Sequence, residues 1–450
     1  MQERCEAKLF LPYTNGLRTA SLSFSALWKQ YVAVVSFVAD YSLPSFFTTQ
    51  YHKSIWYAPN KFEAYGDEEI EAVVACLKDG WLAPGPRTAK FESVVSEYFG
   101  KKYGIFCNSG SSANTLALHM AGLKPGDEVI TPACTFSTVV APLCQLHLTP
   151  VFCDVEVRTF VPSVDQVMEK VTDKTRAIFV PNLAGSKPDW EALRSRCEQI
   201  NRRDICLIED SCDTMTHTVH SDMSIISFYA SHVITAGGGG GMVMCNSVEE
   251  RDVGFSYRDW GRIGNNAEDP SERFGHEVDG ISYDFKFLYG VKGYNFKATE
   301  MQAAFGLVQM QKLPAFTKKR RALVERYIKN LSDTEYILPV DNGSFNWLAM
   351  PMLVPPHWDR KKLLNFIECS GIQTRVFFAG NVTRHPAYRE FYSPSDPFPN
   401  SDTIMRDCFM LGAHHGLEIE DVDYICSVLK EYDPTKDSTQ STMDPGNCDL

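Results

Sequence analysis

No Cys-x-x-Cys pair occurs in the 450 residues, although the chain carries 14 cysteines. Zinc ribbons and cluster-binding loops need such spacing, so no metal site is expected. A disulfide framework is not expected at this length, and reduced thiols point to a cytoplasmic protein. An excess of basic residues is also lacking. The formal net charge is −12, which argues against nucleic acid as the main partner. It leaves room for an anionic ligand, because helix N-termini hold phosphate whatever the net charge. No apolar run of about 18 residues is present, so no membrane span is expected. The nearest, Ser21 to Tyr41, is interrupted by Lys29 and Gln30. It also lacks the small-residue cleavage site of a signal peptide.

What is present is ordinary globular composition, 44% hydrophobic and 22% charged, enough for a sizeable core. Residues 1–57 read as an N-terminal extension of unknown role: a targeting segment (which leaves an organelle open as the location), a packed arm, or an artefact of the gene model. From residue 58 the pattern becomes regular. A helix is expected from an Asp67 N-cap to a stop at Gly80, and a second over Thr88–Phe99. Short apolar runs follow at Gly104–Cys107, Glu128–Thr131, Pro150–Cys153, Ala177–Val180 and Ile205–Ile208. Helical stretches separate them, at Ser112–Ala121, Val164–Val171 and Asp189–Ile200. This alternation implies an α/β fold with a mainly parallel sheet covered by helices. A long helical stretch, Thr299–Leu331, is expected to break near Pro314. The division reads as a large domain over 58–320, a smaller C-terminal α+β domain over 321–432, and a disordered tail over 433–450.

Three motifs carry chemistry. Asn108-Ser109-Gly110-Ser111-Ser112-Ala113-Asn114 follows a strand and opens a helix. Gly110 permits a tight turn, and free N–H groups with the Ser111 and Ser112 hydroxyls suit a phosphate. A serine-rich helix cap is the plainer alternative. Leu207-Ile208-Glu209-Asp210-Ser211-Cys212-Asp213 closes an apolar strand, where ligands of open α/β sheets bind. An acid there can pair with a protonated pyridine nitrogen, or simply cap the next turn. Ser227-Phe228-Tyr229-Ala230-Ser231-His232 leads to the run Gly237–Gly241, which reads as a close approach to a ligand or as a loop. A lone histidine is more often structural than catalytic. A dinucleotide site is a poor reading, since the glycine run lies late and no acidic residue follows at the required distance.

Together, in this order, the motifs resemble the DegT/DnrJ/StrS family of sugar aminotransferases over about residues 58–432. Family-like segments also occur at Gly80–Pro86, Thr131–Phe136, Gly293-Tyr294-Asn295 and Met301–Ala304. The resemblance implies the type I pyridoxal-phosphate-dependent transferase fold, aspartate-aminotransferase-like, and a homodimer. It implies that Gly110, Ser111, Ser112 and Ser227 hold the cofactor phosphate. Phe136 would stack on the ring, Asp210 would pair with the pyridine nitrogen, and Asp213 would sit near the ring hydroxyl. Asn295 would reach the phosphate in the neighbouring subunit.

One position departs from the family's aminotransferases. Five residues after Ser227 they carry the lysine that binds the cofactor covalently; here it is His232. Imidazole cannot form that bond but can act as acid and base near neutrality. A non-covalently held cofactor, cycling between pyridoxal and pyridoxamine 5′-phosphate, is implied. The sequence thus resembles the keto-deoxysugar 3-dehydratase branch of lipopolysaccharide dideoxysugar synthesis. Arg258–Arg262, Gln373-Thr374-Arg375 and Phe378–Arg384 resemble that branch as well, making Arg258, Arg375, Asn381 and Arg384 candidate contacts to a nucleotide-linked keto sugar. Surface salt bridging is their alternative. Branch members with an iron–sulfur centre carry cysteines just after the segment matching Arg258–Arg262. Ile263–Phe274 has none, so no iron–sulfur cluster is expected. The implied reaction is 3-dehydration of a nucleotide-linked 4-keto-6-deoxyhexose, with His232 and Asp210 catalytic and L-glutamate as amine donor. The rival readings are a nucleotide-sugar aminotransferase using Lys187, Lys292 or Lys297, and a catalytically silent binding protein on the same fold.

Overall fold

Short strands dominated by aliphatic and aromatic residues, buried on both faces, must be covered by helices on both sides. The computed structural model describes residues 54–59, 63–264, 273–342 and 346–435. The expectations for residues 1–53 and 436–450 lie outside the described residues. The chain runs through α1 (Asp67–Asp79), α2 (Pro86–Tyr98), β1 (Tyr103–Cys107), α3 (Gly110–Met120), β2 (Glu128–Pro132), α4 (Ser137–Gln145) and β3 (Thr149–Cys153). It continues through α5 (Val164–Met168), β4 (Thr175–Pro181), α6 (Trp190–Gln199), β5 (Cys206–Asp210), β6 (Met223–Ser227), β7 (Gly241–Cys245) and α7 (Val248–Arg258). The first helix is capped one residue earlier than expected. The Glu69 carboxylate accepts from the Gly66 N–H at 2.9 Å, which makes Asp67 its first helical residue.

The strands form one sheet in the order β1-β7-β6-β5-β4-β2-β3. β7 pairs antiparallel with both β1 and β6, and the other strands run one way. The carboxyl ends of β1, β2, β5 and β6 therefore open on one edge, and β7 begins there. This is where an open α/β sheet binds its ligand.

An exposed hairpin, β8 (His276–Val278) and β9 (Ile281–Tyr283), precedes α8 (Glu300–Leu331). Helix α8 is not broken at Pro314. Proline there forfeits one backbone hydrogen bond, a cost of about 3 kcal/mol in a free helix. Burial of Met310, Leu313, Leu323, Val324, Tyr327 and Leu331 offsets it. The rest comprises β10 (Ala349–Leu353), α9 (Arg360–Cys369), β11 (Arg375–Val376), α10 (Pro399–Asp407), β12 (Cys408–Gly412) and α11 (Ile419–Glu431). Its strands make a second, antiparallel sheet in the order β10-β12-β11. Ile55, assigned to the N-terminal extension from sequence, is buried in this part: its N–H donates to Gly371 O at 2.8 Å and its carbonyl accepts from Gln373 N at 2.9 Å.

Three buried rings support the ligand-binding edge. Phe91 meets Phe106 edge-on at 5.0 Å and Phe228 at 4.9 Å, and Phe228 directly follows Ser227. Phe228→Ala leaves a cavity beneath Ser227. It is expected to lower stability by about 3–5 kcal/mol, read from denaturant unfolding.

Candidate active site

Gly110 opens α3 just past the end of β1, and its place explains its identity. A β-carbon there would lie 2.6 Å from Ser227 Cβ and 3.0 Å from Cys212 Sγ. At Gly241 a β-carbon would fall 2.3 Å from the Ser109 carbonyl. The bare backbone lets β1, β6 and β7 converge, with Ser227 opposite Gly241 and Ser109 bridging Gly240. Ser109 caps α3, its hydroxyl accepting from Ser112 N at 3.1 Å. Ser111 is exposed beside it and Ser112 half-buried. The cap reading of the serine motif thus holds for Ser109, and the first turn still presents the N–H and hydroxyl donors that a phosphate needs.

Asp210 ends β5 and is buried. Asn114 Nδ2 donates to one carboxylate oxygen at 3.0 Å and Cys212 N to the other at 3.0 Å. Burial holds its carboxyl above the ordinary range against those two donors. Asn114 lies one helical turn beyond Gly110. The sequence motif contained it without giving it a role, although i+4 spacing puts the two on one face. Asp213, also buried, is pushed well up by burial first and by Asp210 second.

His232 lies beside Asp213, with Nε2 at 3.7 Å from Oδ1, and its Nδ1 is 3.3 Å from the Ser227 carbonyl oxygen. A carbonyl only accepts, so Nδ1 carries the proton and Nε2 keeps its lone pair. Burial lowers the imidazole to about 4, with the Ser227 hydrogen bond opposing and Arg320 adding to the drop. Burial thus favours the uncharged form of each partner, the imidazole shifted down and the Asp213 carboxyl shifted up. Phe136, past the end of β2, is half-exposed. Asn295 is exposed next to Asp259, with which it forms an isolated antiparallel bridge.

The four arginine and asparagine candidates separate. Arg258 is buried and directed inward: it donates to Asp259 at 2.8 and 3.2 Å, to Glu92 at 3.2 Å and to Phe106 O at 3.0 Å. These bonds tie α7 to β1 and α2, which replaces the expected diphosphate contact with a structural one. Asn381 is likewise buried, donating to Asp402 at 2.8 Å and accepting from Thr383 N at 3.1 Å. Arg384 grips Asp402 with two nitrogens and lies over the Tyr392 ring at 4.2 Å. Arg375 is exposed, donates to Thr374 O at 2.7 Å and sits 5.6 Å from the centre of the Tyr57 ring. Of the four it is the one best placed to meet an anion.

Lys297 pairs with Asp259 at 3.2 Å, and Lys292 is exposed. Lys187 lines a separate cavity of about 670 Å³ together with Trp190, His217 and His220; none of the expected site residues lines it. Among the described residues no group of three or more metal-ligating side chains is gathered, and no helix is long and apolar enough to cross a membrane.

These residues fit a pyridoxal-type cofactor. Gly110 brings the start of α3 against Ser227, so the hydroxyls of Ser111, Ser112 and Ser227 gather at one place. Asp210 ends at the same edge, and the buried Asn114 Oδ1 beside it has no hydrogen-bond partner among the described residues. A serine-lined helix start, an acid at a central strand end and a half-exposed aromatic are the parts a pyridoxal-phosphate site of the aminotransferase-like fold requires.

The chain belongs to the DegT/DnrJ/EryC1/StrS aminotransferase family, whose signature matches residues 63–430. It is 34% identical over 396 residues to a dTDP-4-dehydro-2,6-dideoxy-D-glucose 3-dehydratase of Saccharopolyspora spinosa, covering 81% of this chain and 84% of that protein. It is also 34% identical over 402 residues to the lipopolysaccharide biosynthesis protein RfbH of Salmonella typhimurium, covering 83% and 91%. A solved Escherichia coli GDP-4-keto-6-deoxy-D-mannose-3-dehydratase with bound hydrated PLP superposes with a TM-score of 0.74 at 25% identity, over 84% of this chain and all of that one. Another relative, of Saccharopolyspora spinosa, is named a dTDP-4-dehydro-2,3,6-trideoxy-D-glucose 4-aminotransferase. The family is thus one of pyridoxal-phosphate-dependent deoxysugar enzymes in which both activities occur.

Proposed function

We propose that this enzyme catalyses 3-dehydration of a nucleotide-linked 4-keto-6-deoxyhexose, with His232 in place of the cofactor-binding lysine. The observation that carries the reading is the neutral imidazole of His232, its free Nε2 turned to the Asp213 side of the cradle. The names of the first relatives favour the same chemistry. So does the absence of cysteine from Ile263–Phe274, which speaks for a route without an iron–sulfur cluster.

When bound, the pyridoxamine form of the cofactor supplies an amine that condenses with the 4-keto group and a ring that withdraws electrons. The chain's residues do the rest. Ser111, Ser112 and Ser227 hold the phosphate, joined by Asn295 from a second copy of the chain in a homodimer. Phe136 covers one face of the ring. Asp210 keeps the ring nitrogen protonated. Nε2 of His232 takes the proton from carbon and returns it to the departing 3-hydroxyl, a task suited to one imidazole over one face. Arg375 meets the nucleotide diphosphate. Glutamate restores the amine, so the sum is keto sugar plus glutamate to 3-deoxy-4-keto sugar, 2-oxoglutarate and ammonia.

The test is incubation with a nucleotide 4-keto-6-deoxyhexose, cofactor and glutamate, followed by mass analysis of the sugar. Loss of one oxygen supports the dehydratase. A 4-amino sugar that keeps its 3-hydroxyl assigns an aminotransferase, and an unchanged sugar removes the enzymatic reading.

The pH dependence has a definite sign. The folded protein lowers His232 from 6.5 to about 4, so the neutral base is favoured. Its contribution to stability is full above the unfolded value and is lost as pH falls from 6.5 towards 4. The acid limb of kcat/KM due to this group is expected near pH 4, read from initial rates in buffers of constant ionic strength.

A further inference from the structure

Parallel neighbours β5 and β6 are joined by residues 211–222 with no helix in the connection. Parallel strands usually cross over through a helix, and irregular connections usually lie in water. This one does neither. Ser211, Thr214, Thr216, Thr218 and Ser221 are all buried. A buried irregular segment needs internal partners for its polar groups.

Two charged side chains, neither part of the cofactor cradle, supply them. Glu209 is buried, and its Oε1 accepts from Asn182 Nδ2 at 2.6 Å, Thr216 Oγ1 at 2.8 Å, Thr218 Oγ1 at 3.0 Å and Ser211 Oγ at 3.2 Å. Its Oε2 accepts from Ser224 Oγ at 2.9 Å and Ser221 Oγ at 3.0 Å. Buried Lys101 donates to the carbonyls of Thr218, at 2.9 Å, and Ser221. The carboxylate thus gathers the hydroxyls of the connection, and the ammonium takes up carbonyls. Asp213 sits between two anchored stretches. Before it, Ser211 is bound to Glu209; after it, Thr214 Oγ1 accepts from Gly185 N at 2.8 Å and Met215 O from Asn346 Nδ2 at 2.8 Å.

We infer that Glu209 is a positioning residue: by collecting the hydroxyls of residues 211–222 it fixes the segment that holds Asp213 against His232. The inference rests on the reading of His232 as the acid and base. Glutamine cannot accept from all of these hydroxyls at once. Its amide offers one accepting oxygen and turns an N–H₂ group towards hydroxyl donors. The groups around His232 are Asp213 at 3.7 Å, the Tyr229 ring at 6.0 Å between centroids, and the buried cation Arg320. If the segment loosens, Asp213 withdraws, water reaches the imidazole, and its pKa rises towards 6.5.

The experiment compares cofactor-loaded wild type with Glu209→Gln. In the variant kcat should fall roughly 10²-fold, the scale of a misplacement of about 1 Å, with KM little changed and the acid limb of kcat/KM moved up in pH. In parallel, NMR of isotope-labelled histidine titrates His232 in both proteins without sugar. That titration is independent of the reaction. An upward shift in the variant keeps the positioning role even if no keto sugar is converted. If Glu209→Gln does not fold, Thr216→Val and Thr218→Val each remove one hydroxyl and should move the titration in the same direction by less. A folded variant with the wild-type His232 titration and pH profile overturns the inference, since a merely structural loss lowers the folded fraction and leaves each surviving site unchanged.

Discussion

His232→Ala abolishes dehydration while the enzyme keeps its cofactor. The loss should be at least 10²–10⁴-fold in kcat, the usual worth of a positioned acid–base group. The expectation follows from where the ring's contacts lie. Its Nδ1 touches only a backbone carbonyl, and Nε2 faces Asp213 rather than Ser111, Ser112 or Asp210. Removing it therefore leaves the phosphate and ring-nitrogen contacts intact. Cofactor retention, measured by dialysis and absorbance, should remain within a few-fold of wild type. His232→Asn keeps the neighbouring hydrogen bonds and should be nearly as inactive. An alanine variant with full activity would remove the role assigned to this residue.

Asp210→Asn should be comparably damaging for a different reason. Asp210 is buried with two donors on its carboxylate, and a protonated ring nitrogen would give it the opposite charge that burial otherwise denies it. Deleting one member of a buried ion pair costs about 3–5 kcal/mol, or roughly 10²–10⁴-fold. The loss should divide between cofactor affinity and kcat, because the pair both binds the ring and sustains its electron withdrawal. A second consequence is local. Asp210 contributes to the raised pKa of Asp213, so that group should ionise more readily in the variant. An Asp210→Asn enzyme with wild-type affinity and rate would place the ring nitrogen elsewhere.

The backbone of the candidate cradle was legible in the sequence because it is built from local signals, and its role came only through the family resemblance. Strand, glycine turn and serine-rich helix start follow one another at Cys107–Ser112, and Asp210 stands at the end of an apolar strand. What escaped was set by tertiary partners. Nothing near Arg258 in sequence reveals that Glu92 and Phe106 O lie within reach of its guanidinium. Asn381, a candidate sugar contact from sequence, instead donates to Asp402 of α10, which no local signal reveals. The Ser/Thr-rich stretch 211–222 has the composition of a surface loop, and only Glu209 and Lys101 make its burial tenable. Pro314 is a helix breaker by local rules, overridden by the residues that α8 buries. Ile55 lies before the regular pattern begins and is nonetheless paired with the chain around Ile372.

The central claim is that a histidine stands where a cofactor-binding lysine would be. The most direct test is intact mass with peptide mapping after adding pyridoxal phosphate and reducing with borohydride, on wild type and on His232→Lys. Tightly held cofactor but no single labelled lysine is expected in the wild type, and a stoichiometric label at position 232 in the variant. Stoichiometric labelling of one lysine in the wild type would contradict it and assign a conventional aminotransferase.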